Sequence, residues 1–317
     1  MQEKKIAFIF PAFVNDYRDD PTEGLPGFSD YLHSFLEKAS LAEDSRLIRF
    51  HYLHHNFLDH ELLTQYISYT LNCSLSEYFS NHKIIPQYCA GYSMGLYAAL
   101  FHAGSISFEE GLVMIREAHR ATGKITNGKQ YGMGIVIGLG RSDLEEMILK
   151  NFTSVEITNQ NSIYSFVLSG NYTEIAGLLE MVRNEGALHT REIRVTVPYH
   201  SSYLANAAAD FGKAITSIPI RIPSNYPWDM RSSSSSGIIS LIDQEILDTP
   251  GALRKEVTRN IHTPLNWLNT QLKLQELGVN LFVECGPDSG LIKNARFIEG
   301  KFRFLSPSQA LSDKVTK

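Results

Sequence analysis

The sequence predicts an α/β protein with a mainly parallel sheet and an inserted ferredoxin-like βαββαβ subdomain. An apolar run at 84–90, a Gly-x-Ser-x-Gly pentapeptide and a helix-like run at 96–102 follow one another, which indicates a sharp strand-to-helix turn. Residues 132–197 are patterned as strand, helix, strand, strand, helix and strand. Helices and strands alternate again afterwards, so the insertion would divide one larger α/β sheet.

The elements before the insertion follow from apolar periodicity and from stop signals. The first β-branched and aromatic run ends at Pro11, which cannot donate to a sheet. Ser107 with Glu110 forms a capping box that opens a helix. On that helix Arg116, His119 and Arg120 share one face. The predicted elements are a strand at Lys5–Phe10, helices at Ser29–Ala42 and Glu61–His82, the strand and helix around the pentapeptide, and a helix from Ser107 to about Ala121.

The insertion has its own core signal in its second helix. Ile175, Leu178, Leu179 and Val182 make one apolar stripe, which would pack on the subdomain sheet. The predicted elements are a strand at Gly134–Leu139, a helix opened by Ser142 with Glu145, strands at Val155–Asn159 and Tyr164–Ser169, a helix at Thr173–Glu185 and a strand at Leu188–Val197.

The remainder of the chain returns to the α/β pattern, and a five-serine run at Ser232–Ser236 predicts a surface loop there. We expect a helix at Tyr203–Ile215, a strand at Ile218–Ile222, irregular chain at Pro223–Gly237, a helix at Leu265–Leu277, a strand at Val279–Glu284, another helix and a strand at Lys301–Leu305. The predicted domains are a catalytic core formed by residues 1–127 and 199–317 and a subdomain formed by residues 128–198.

Composition excludes several classes of protein. With 317 residues, 43% of them hydrophobic, the chain can bury a large core. A net charge of -5 without a basic cluster argues against a nucleic-acid binder. No apolar run approaches the roughly 20 residues of a membrane span, and the N-terminal apolar run is too short for a signal peptide, so we expect a cytoplasmic protein without membrane contact. Cys73, Cys89 and Cys285 are widely spaced, which predicts no structural metal site.

Ser93, at the centre of Gly91-Tyr92-Ser93-Met94-Gly95, is the candidate nucleophile. In a nucleophile elbow the serine projects from a tight turn, and the amino end of the next helix offers amide donors to an oxyanion. The alternative is a chance match of a short motif of common residues. The flanking strand and helix favour the functional interpretation.

A serine hydroxyl needs a base, and eleven histidines compete for that role. His51, His54, His55 and His60 lie in polar contexts that favour solvent exposure. His200 follows the last strand of the subdomain and Pro198, at a crossing between the two lobes where a site is expected. His200 is therefore the candidate base.

Seven short motifs follow one another in register over nearly the whole chain. They are Ile6–Pro11, Gly91–Gly95, Leu112–Arg116, Asn159–Ser162, Val197–Ser201, Thr263–Trp267 and Glu284–Pro287. With these motifs the chain resembles the malonyl-CoA:acyl carrier protein transacylases, a family that includes the fatty-acid enzyme and the acyltransferases of polyketide synthases. The resemblance implies an α/β-hydrolase-like core with the ferredoxin-like insertion.

The resemblance also implies a two-step acyl transfer from CoA to the phosphopantetheine thiol of an acyl carrier protein, through an acyl ester on Ser93 with His200 as base. No cofactor or metal is implied beyond CoA as substrate. The residues that match the family's remaining roles are the backbone amides of Met94 and Phe13 as oxyanion donors, Arg116 as the receptor of the malonyl carboxylate, Asn159 and Asn161 as cleft residues, and Asn266 at the position whose main-chain carbonyl orients the histidine.

The sequence departs from the family's pattern beside the expected acyl pocket. Phe10–Asp16 replaces the N-terminal FPGQGSQ segment, so its glycines and glutamine are lost, and Asp288 replaces a glycine after Pro287. Tyr92 replaces the usual histidine beside the nucleophile. Tyr199 is bulky beside His200, which favours a small acyl group, malonyl over methylmalonyl. We count both tyrosines among the expected substrate-binding residues.

Two alternatives remain open. The first is an acyl hydrolase that delivers water to carrier-bound acyl groups with the same Ser93 and His200. A cationic Arg116 in the pocket would argue against it, because a positive charge favours acids over neutral acyl chains. The second is a catalytically silent homologue that only docks to the carrier, which the altered N-terminal segment suggests. The sequence does not separate fatty-acid from polyketide synthesis.

Overall fold

The structure is a computed structural model that describes residues 4–12, 23–50, 60–193, 195–224, 237–287, 290–295, 298, 300 and 302–313. Among these residues no helix combines the length and the apolar character needed to cross a bilayer. In chain order the elements are β1 (Ile6–Phe10), α1 (Phe28–Ala42), α2 (Glu61–Asn81), β2 (Tyr88–Gly91), α3 (Gly95–His102), α4 (Phe108–Thr126), β3 (Tyr131–Ile137), α5 (Arg141–Asn151), β4 (Glu156–Ser162), β5 (Ser165–Asn171), α6 (Tyr172–Asn184), β6 (His189–Ile193), α7 (Ala205–Ala214), β7 (Gly237–Ile239), β8 (Ile246–Leu247), α8 (Pro250–Arg259), β9 (Leu265–Asn266), α9 (Trp267–Glu276), β10 (Leu281–Glu284), α10 (Gly290–Asn294), β11 (Arg303–Leu305) and α11 (Pro307–Ser312), with short 3-10 turns at Leu47–Arg49 and Ser202–Leu204.

The larger sheet has six strands in the order β11-β10-β1-β2-β7-β8. All neighbours are parallel except β7 and β8. Every residue of β1 is buried. Phe8 and Phe10 belong to the cluster that contains residues of α1, α2 and α4, whereas Ala7 and Ile9 belong to the cluster that contains Trp267 of α9. Helices therefore cover both faces, as a parallel sheet requires, and the predicted α/β core is confirmed.

The smaller sheet has the strand order β6-β3-β5-β4-β9. Its first four strands pair antiparallel in the ferredoxin-like order, which confirms the predicted insertion. The apolar stripe of α6, Ile175 to Val182, is buried in the subdomain core. The fifth strand comes from the core: β9 pairs parallel to β4, with Asn266 beside Gln160. The two lobes thus share a sheet at the edge nearest the candidate site. The predicted domain limits stay a prediction.

Several local predictions differ from the structure. No strand forms at Ile218–Ile222, because Pro219 and Pro223 have no backbone N–H to donate. The helix predicted from Leu265 begins at Trp267, since the two preceding residues form β9. The sequence did not predict β7, β8 or α8. The two strands are too short to show a period. The serine run at Ser232–Ser236 lies outside the described residues.

Candidate active site

Ser93 lies at the predicted strand-to-helix turn, between the end of β2 and the start of α3. Its φ angle is +55°, a left-handed conformation that is strained for a residue with a side chain and typical of functional turns. The flanking glycines are needed for space. A Cβ on Gly91 would lie 2.3 Å from the Leu96 nitrogen, and one on Gly95 would lie 2.1 Å from the Phe10 oxygen. The turn can therefore close only with glycine at both positions.

His200 meets Ser93 across the cleft between the lobes. Ser93 Oγ lies 2.7 Å from His200 Nε2, although the two residues are 107 positions apart. On the other side of the ring, His200 Nδ1 lies 2.6 Å from the main-chain oxygen of Asn260. Because a carbonyl oxygen can only accept, Nδ1 carries the ring proton, and Nε2 is left with a lone pair towards the serine hydroxyl. This arrangement suits a serine nucleophile with a histidine base.

The electrostatics of the imidazole favour the neutral, basic form. His200 is 3% exposed. Burial lowers its pKa from 6.5 to about 4, and the hydrogen bond to the Asn260 carbonyl offsets only part of that shift. The ring is thus unprotonated at neutral pH and ready to take a proton from Ser93.

This pKa predicts the pH dependence of acylation. We expect the single-turnover rate of Ser93 acylation to be flat from neutral pH to about pH 5 and to fall about tenfold per unit below pH 4, as His200 becomes protonated. The same pKa shift affects stability. Between pH 6.5 and about 4 the unfolded chain binds a proton at His200 and the folded chain does not, so the free energy of unfolding decreases as the pH falls through that window. Rapid-quench kinetics after a pH jump would measure the rate. A limb near pH 6.5 instead would show that His200 is not desolvated.

The residue that orients His200 is Asn260, and the prediction of Asn266 is wrong. Besides offering its carbonyl to the ring, Asn260 donates from Nδ2 to the main-chain oxygen of Ser93, at 2.9 Å. It therefore holds both partners of the pair. Asn266 is instead the N-cap of α9, where its side chain accepts from the Asn269 amide at 2.9 Å. Neither contact of Asn260 has a local sequence signal, which is why the motif match selected the wrong asparagine.

Of the two predicted oxyanion donors, the structure describes one. Met94 precedes the first residue of α3 and lines the cavity beside Ser93. The described residues contain no acceptor for its backbone amide, so that amide is available to a substrate oxygen at the amino end of a helix. Phe13 lies outside the described residues, and its role stays a prediction.

Tyr92, Asn159 and Asn161 come together, but in a structural cluster rather than in the cavity lining. Asn159 Nδ2 donates to the Tyr92 hydroxyl at 2.6 Å, and that hydroxyl donates to Asn161 Oδ1 at 2.8 Å. Burial raises the pKa of Tyr92 to about 12, so the hydroxyl keeps its proton. The Tyr92 ring also packs edge-on against Trp267. Because both asparagines belong to β4, the cluster fastens the subdomain to the elbow. The role of these three residues in substrate binding stays a prediction.

Arg116 is not brought to the cavity. Its Nη1 lies 2.6 Å from Glu43 Oε1 and its Nε lies 3.4 Å from Glu117 Oε1. Ile115, Ala118 and His119 are the α4 residues that face Ser93. Its side chain points towards these two carboxylates rather than into the cavity. The predicted contact between Arg116 and a substrate carboxylate stays a prediction.

Tyr199 does line the cavity, together with Gln65, which the sequence did not suggest. The Tyr199 hydroxyl donates to Glu61 Oε1 at 2.6 Å and accepts from Gln65 Nε2 at 3.2 Å. Gln65 Nε2 also donates to Glu61 Oε1, at 3.2 Å. This network fixes the tyrosine ring beside His200, where it restricts the space for an acyl group.

The cavity itself is small and mostly apolar. Its volume of about 40 Å³ leaves room for about three water-sized groups, at roughly 10–15 Å³ each, beside the nucleophile. The preference for a short acyl group stays a prediction. The lining residues are Gln65, Ser93, Met94, Tyr97, Ile115, Ala118, His119, Tyr199, His200, Asn260 and Ile261.

A metal centre has no support in the described part of the chain. There, no three His, Cys, Asp or Glu side chains are grouped as metal ligands. Cys73, Cys89 and Cys285 are buried free thiols. The expectation that the protein uses no cofactor stays a prediction.

Comparisons with known proteins agree with this geometry. The family model of the acyl transferase domain matches residues 70–296. The malonyl CoA-acyl carrier protein transacylase of Bacillus subtilis is 22% identical over 230 residues, which cover 71% of this chain and 69% of that protein. The polyketide biosynthesis protein ThaF of Burkholderia thailandensis is 26% identical over 202 residues, 63% of this chain but only 16% of that protein.

Solved structures share the fold over nearly the whole chain. The malonyl CoA-acyl carrier protein transacylase of Coxiella burnetii superposes with a TM-score of 0.83 at 24% identity, covering 98% of this chain and 97% of the other. A malonyl-transacylase solved in complex with its type II polyketide acyl carrier protein superposes with a TM-score of 0.84 at 19% identity, covering 98% and 99%. Since the family model spans residues 70–296, well over half of the chain, this protein belongs to the acyl transferase domain family.

Proposed function

We propose that this protein transfers a malonyl group from CoA to the phosphopantetheine thiol of an acyl carrier protein through an ester on Ser93. The observation that carries the proposal is the contact of 2.7 Å between Ser93 Oγ and a buried, neutral His200. Membership of the acyl transferase domain family and similarity to malonyl transacylases support the reaction class and the two partners. Because the proposed partners are a CoA thioester and an acyl carrier protein, we also propose that the protein is cytoplasmic.

In the first half-reaction His200 Nε2 takes the proton of Ser93 as Oγ attacks the thioester carbonyl. The Met94 amide donates to the oxygen that becomes negative, a type of contact worth about 2.7 to 4 kcal/mol in other serine enzymes. The tetrahedral intermediate collapses, the C–S bond breaks, and His200 returns the proton to the CoA sulfur. Malonyl-Ser93 and free CoA remain.

The second half-reaction repeats these steps with a different nucleophile. The carrier thiol gives its proton to His200 and attacks the ester carbonyl. When the C–O bond breaks, His200 returns the proton to Ser93 Oγ. A transferase differs from a hydrolase in this step. The carrier thiol attacks the ester in a transferase, and water attacks it in a hydrolase.

Intact-mass measurement after mixing with malonyl-CoA tests the proposal. We expect a stable malonyl adduct on the protein that disappears when holo carrier protein is added, with malonyl appearing on the carrier. A hydrolase would instead release free malonate without any carrier. A docking homologue would give neither adduct nor turnover, and either of these results would contradict the proposal.

A further inference from the structure

The short segment between α8 and β9 holds both members of the Ser93–His200 pair. The carbonyl of Asn260 accepts from His200 Nδ1, and the Nδ2 group of Asn260 donates to the main-chain oxygen of Ser93. The next residue, Ile261, accepts the backbone N–H of His200 at its carbonyl, at 2.9 Å. His200 needs this support, because its φ angle of +62° is a strained left-handed conformation for a residue with a side chain. The position of this segment therefore sets the position of the imidazole.

The β7–β8 turn, residues 240–245, is tied to both ends of the segment. At the β9 end, the Asn266 amide donates to the Leu241 carbonyl at 2.8 Å. At the α8 end, Asn260 closes the helix, and its amide donates to the Glu256 carbonyl, also at 2.8 Å. The orientation of α8 relative to the turn thus decides where Asn260 lies.

The side chain of Glu256 connects α8 to this turn from inside the protein. Glu256 is 4% exposed, and its Oε1 accepts from Ser240 Oγ at 2.8 Å and from the Leu241 amide at 3.1 Å. Ser240 Oγ in turn accepts from the amides of Ile242 and Asp243, at 3.0 and 2.9 Å. Because these two amides occupy its lone pairs, the hydroxyl donates its hydrogen to Glu256. The turn and the helix are therefore fixed in one relative position.

A carboxyl group at this place is costly for stability. Burial raises the pKa of Glu256, and the hydrogen bonds from Ser240 and Leu241 offset only part of that shift. Leu253 and Val257, its neighbours on α8, are fully buried apolar residues. Replacing buried ionisable groups by apolar side chains of similar volume is often neutral or stabilising, so stability alone does not account for a carboxyl group here.

A second link between α8 and the turn lies at the surface. Arg259 pairs with Asp243, and the two side chains are 27% and 46% exposed. Ion pairs that are open to solvent contribute little and are screened by salt. The buried side chain of Glu256 is therefore the link that determines the orientation of the helix.

We propose that Glu256 is a positioning residue for His200: its hydrogen bonds to the β7–β8 turn set the orientation of α8 and thereby place the Asn260 carbonyl against the Nδ1 atom of the imidazole. This inference rests on the proposed transfer of malonyl through Ser93. Glu256 touches neither the substrate nor the reacting atoms. Its effect is to keep the ring proton on Nδ1 and the lone pair of Nε2 directed at the Ser93 hydroxyl.

Single-turnover acylation by malonyl-CoA, followed by intact mass, tests this role. Glu256→Leu keeps the volume but loses the acceptor. We expect it to lower the acylation rate constant at saturation by about 10- to 100-fold, the cost of a small misplacement of a catalytic group, and to leave the half-saturating concentration of malonyl-CoA unchanged. Glu256→Gln keeps an oxygen acceptor for Ser240 and Leu241 and should acylate within about threefold of the unchanged protein. Glu180→Leu, at an exposed position of α6, is the matched control and should keep the full rate constant.

The amplitude and the rate constant of acylation separate positioning from stability. The amplitude reports the fraction of folded protein, whereas the rate constant reports the geometry of the site. A reduced amplitude with an unchanged rate constant in Glu256→Leu would show that Glu256 only stabilises the fold, and would overturn the inference. Equal losses of rate in Glu256→Leu and Glu256→Gln would also overturn it.

Proton NMR of the unloaded protein gives a measurement that does not depend on the reaction. The Nδ1 proton of His200, held by the Asn260 carbonyl, should give a downfield resonance that His200→Ala lacks. We expect Glu256→Leu to shift or broaden this resonance and Glu256→Gln to retain it. An unchanged resonance in Glu256→Leu would overturn the inference, while malonyl loading by the unchanged protein would still support the proposed function. Failure of the unchanged protein to load malonyl would overturn the proposed function, and the resonance would still decide whether Glu256 places the imidazole.

Discussion

Replacing Ser93 by alanine should abolish covalent loading by malonyl-CoA and reduce turnover by about 10⁶-fold, the loss seen when the nucleophile of a serine enzyme is removed. No other hydroxyl of the described lining lies within hydrogen-bonding distance of His200 Nε2, so no substitute nucleophile is activated. Intact-mass spectra and steady-state transfer to a holo carrier would measure the two quantities. The fold should survive, because the bond from Asn260 Nδ2 goes to the main chain of residue 93.

Ser142→Ala is a matched control, since it removes an exposed hydroxyl from the subdomain. It should load malonyl like the unchanged protein. Undiminished loading of Ser93→Ala would show that the acyl group is carried elsewhere and would remove the elbow from the mechanism.

Replacing His200 by alanine should slow acylation by about 10²- to 10⁴-fold, the usual contribution of a general base. The reason is that Ser93 then keeps its proton at neutral pH and attacks poorly. The affinity for CoA should change little, because the imidazole contacts the reacting hydroxyl rather than the leaving group's distal part. Single-turnover acylation at saturating malonyl-CoA separates the chemical step from binding.

His33→Ala provides the comparison for this variant, because His33 is a histidine of α1 whose side chain is 64% exposed and pairs with Glu37. It should acylate at the rate of the unchanged protein. If His200→Ala retained that rate as well, the contact with Ser93 would be structural, and another base would have to be found.

The parts of the site that the sequence predicted are those with local signals. The elbow was predictable because strand, glycines, serine and helix are contiguous, and His200 because it follows Pro198 where two lobes must meet. Their contact was a hypothesis until the fold placed them 2.7 Å apart.

The parts that the sequence missed depend on distance along the chain and on helix rotation. Asn260 contacts His200 across 60 positions and Ser93 across 167, and nothing near it in the sequence marks that role. Gln65 reaches Tyr199 across 134 positions. Arg116 and His119 share a broad helix face, and the rotation of that helix is fixed by packing. In the structure His119 lines the cavity, whereas Arg116 forms an ion pair with Glu43. Tyr92 replaces a family histidine and serves as an anchor for two asparagines, which a comparison of motifs alone does not show.

The central claim is that Ser93 carries the acyl group between CoA and the carrier, and peptide mapping of the malonyl-loaded protein by tandem mass spectrometry tests it most directly. The account predicts that the malonyl group is found on the peptide containing Gly91–Gly95, on Ser93 alone, and that it is lost from this peptide when holo carrier protein is added. Malonyl located on any other residue, or a Ser93 adduct that the carrier thiol does not discharge, would contradict the account.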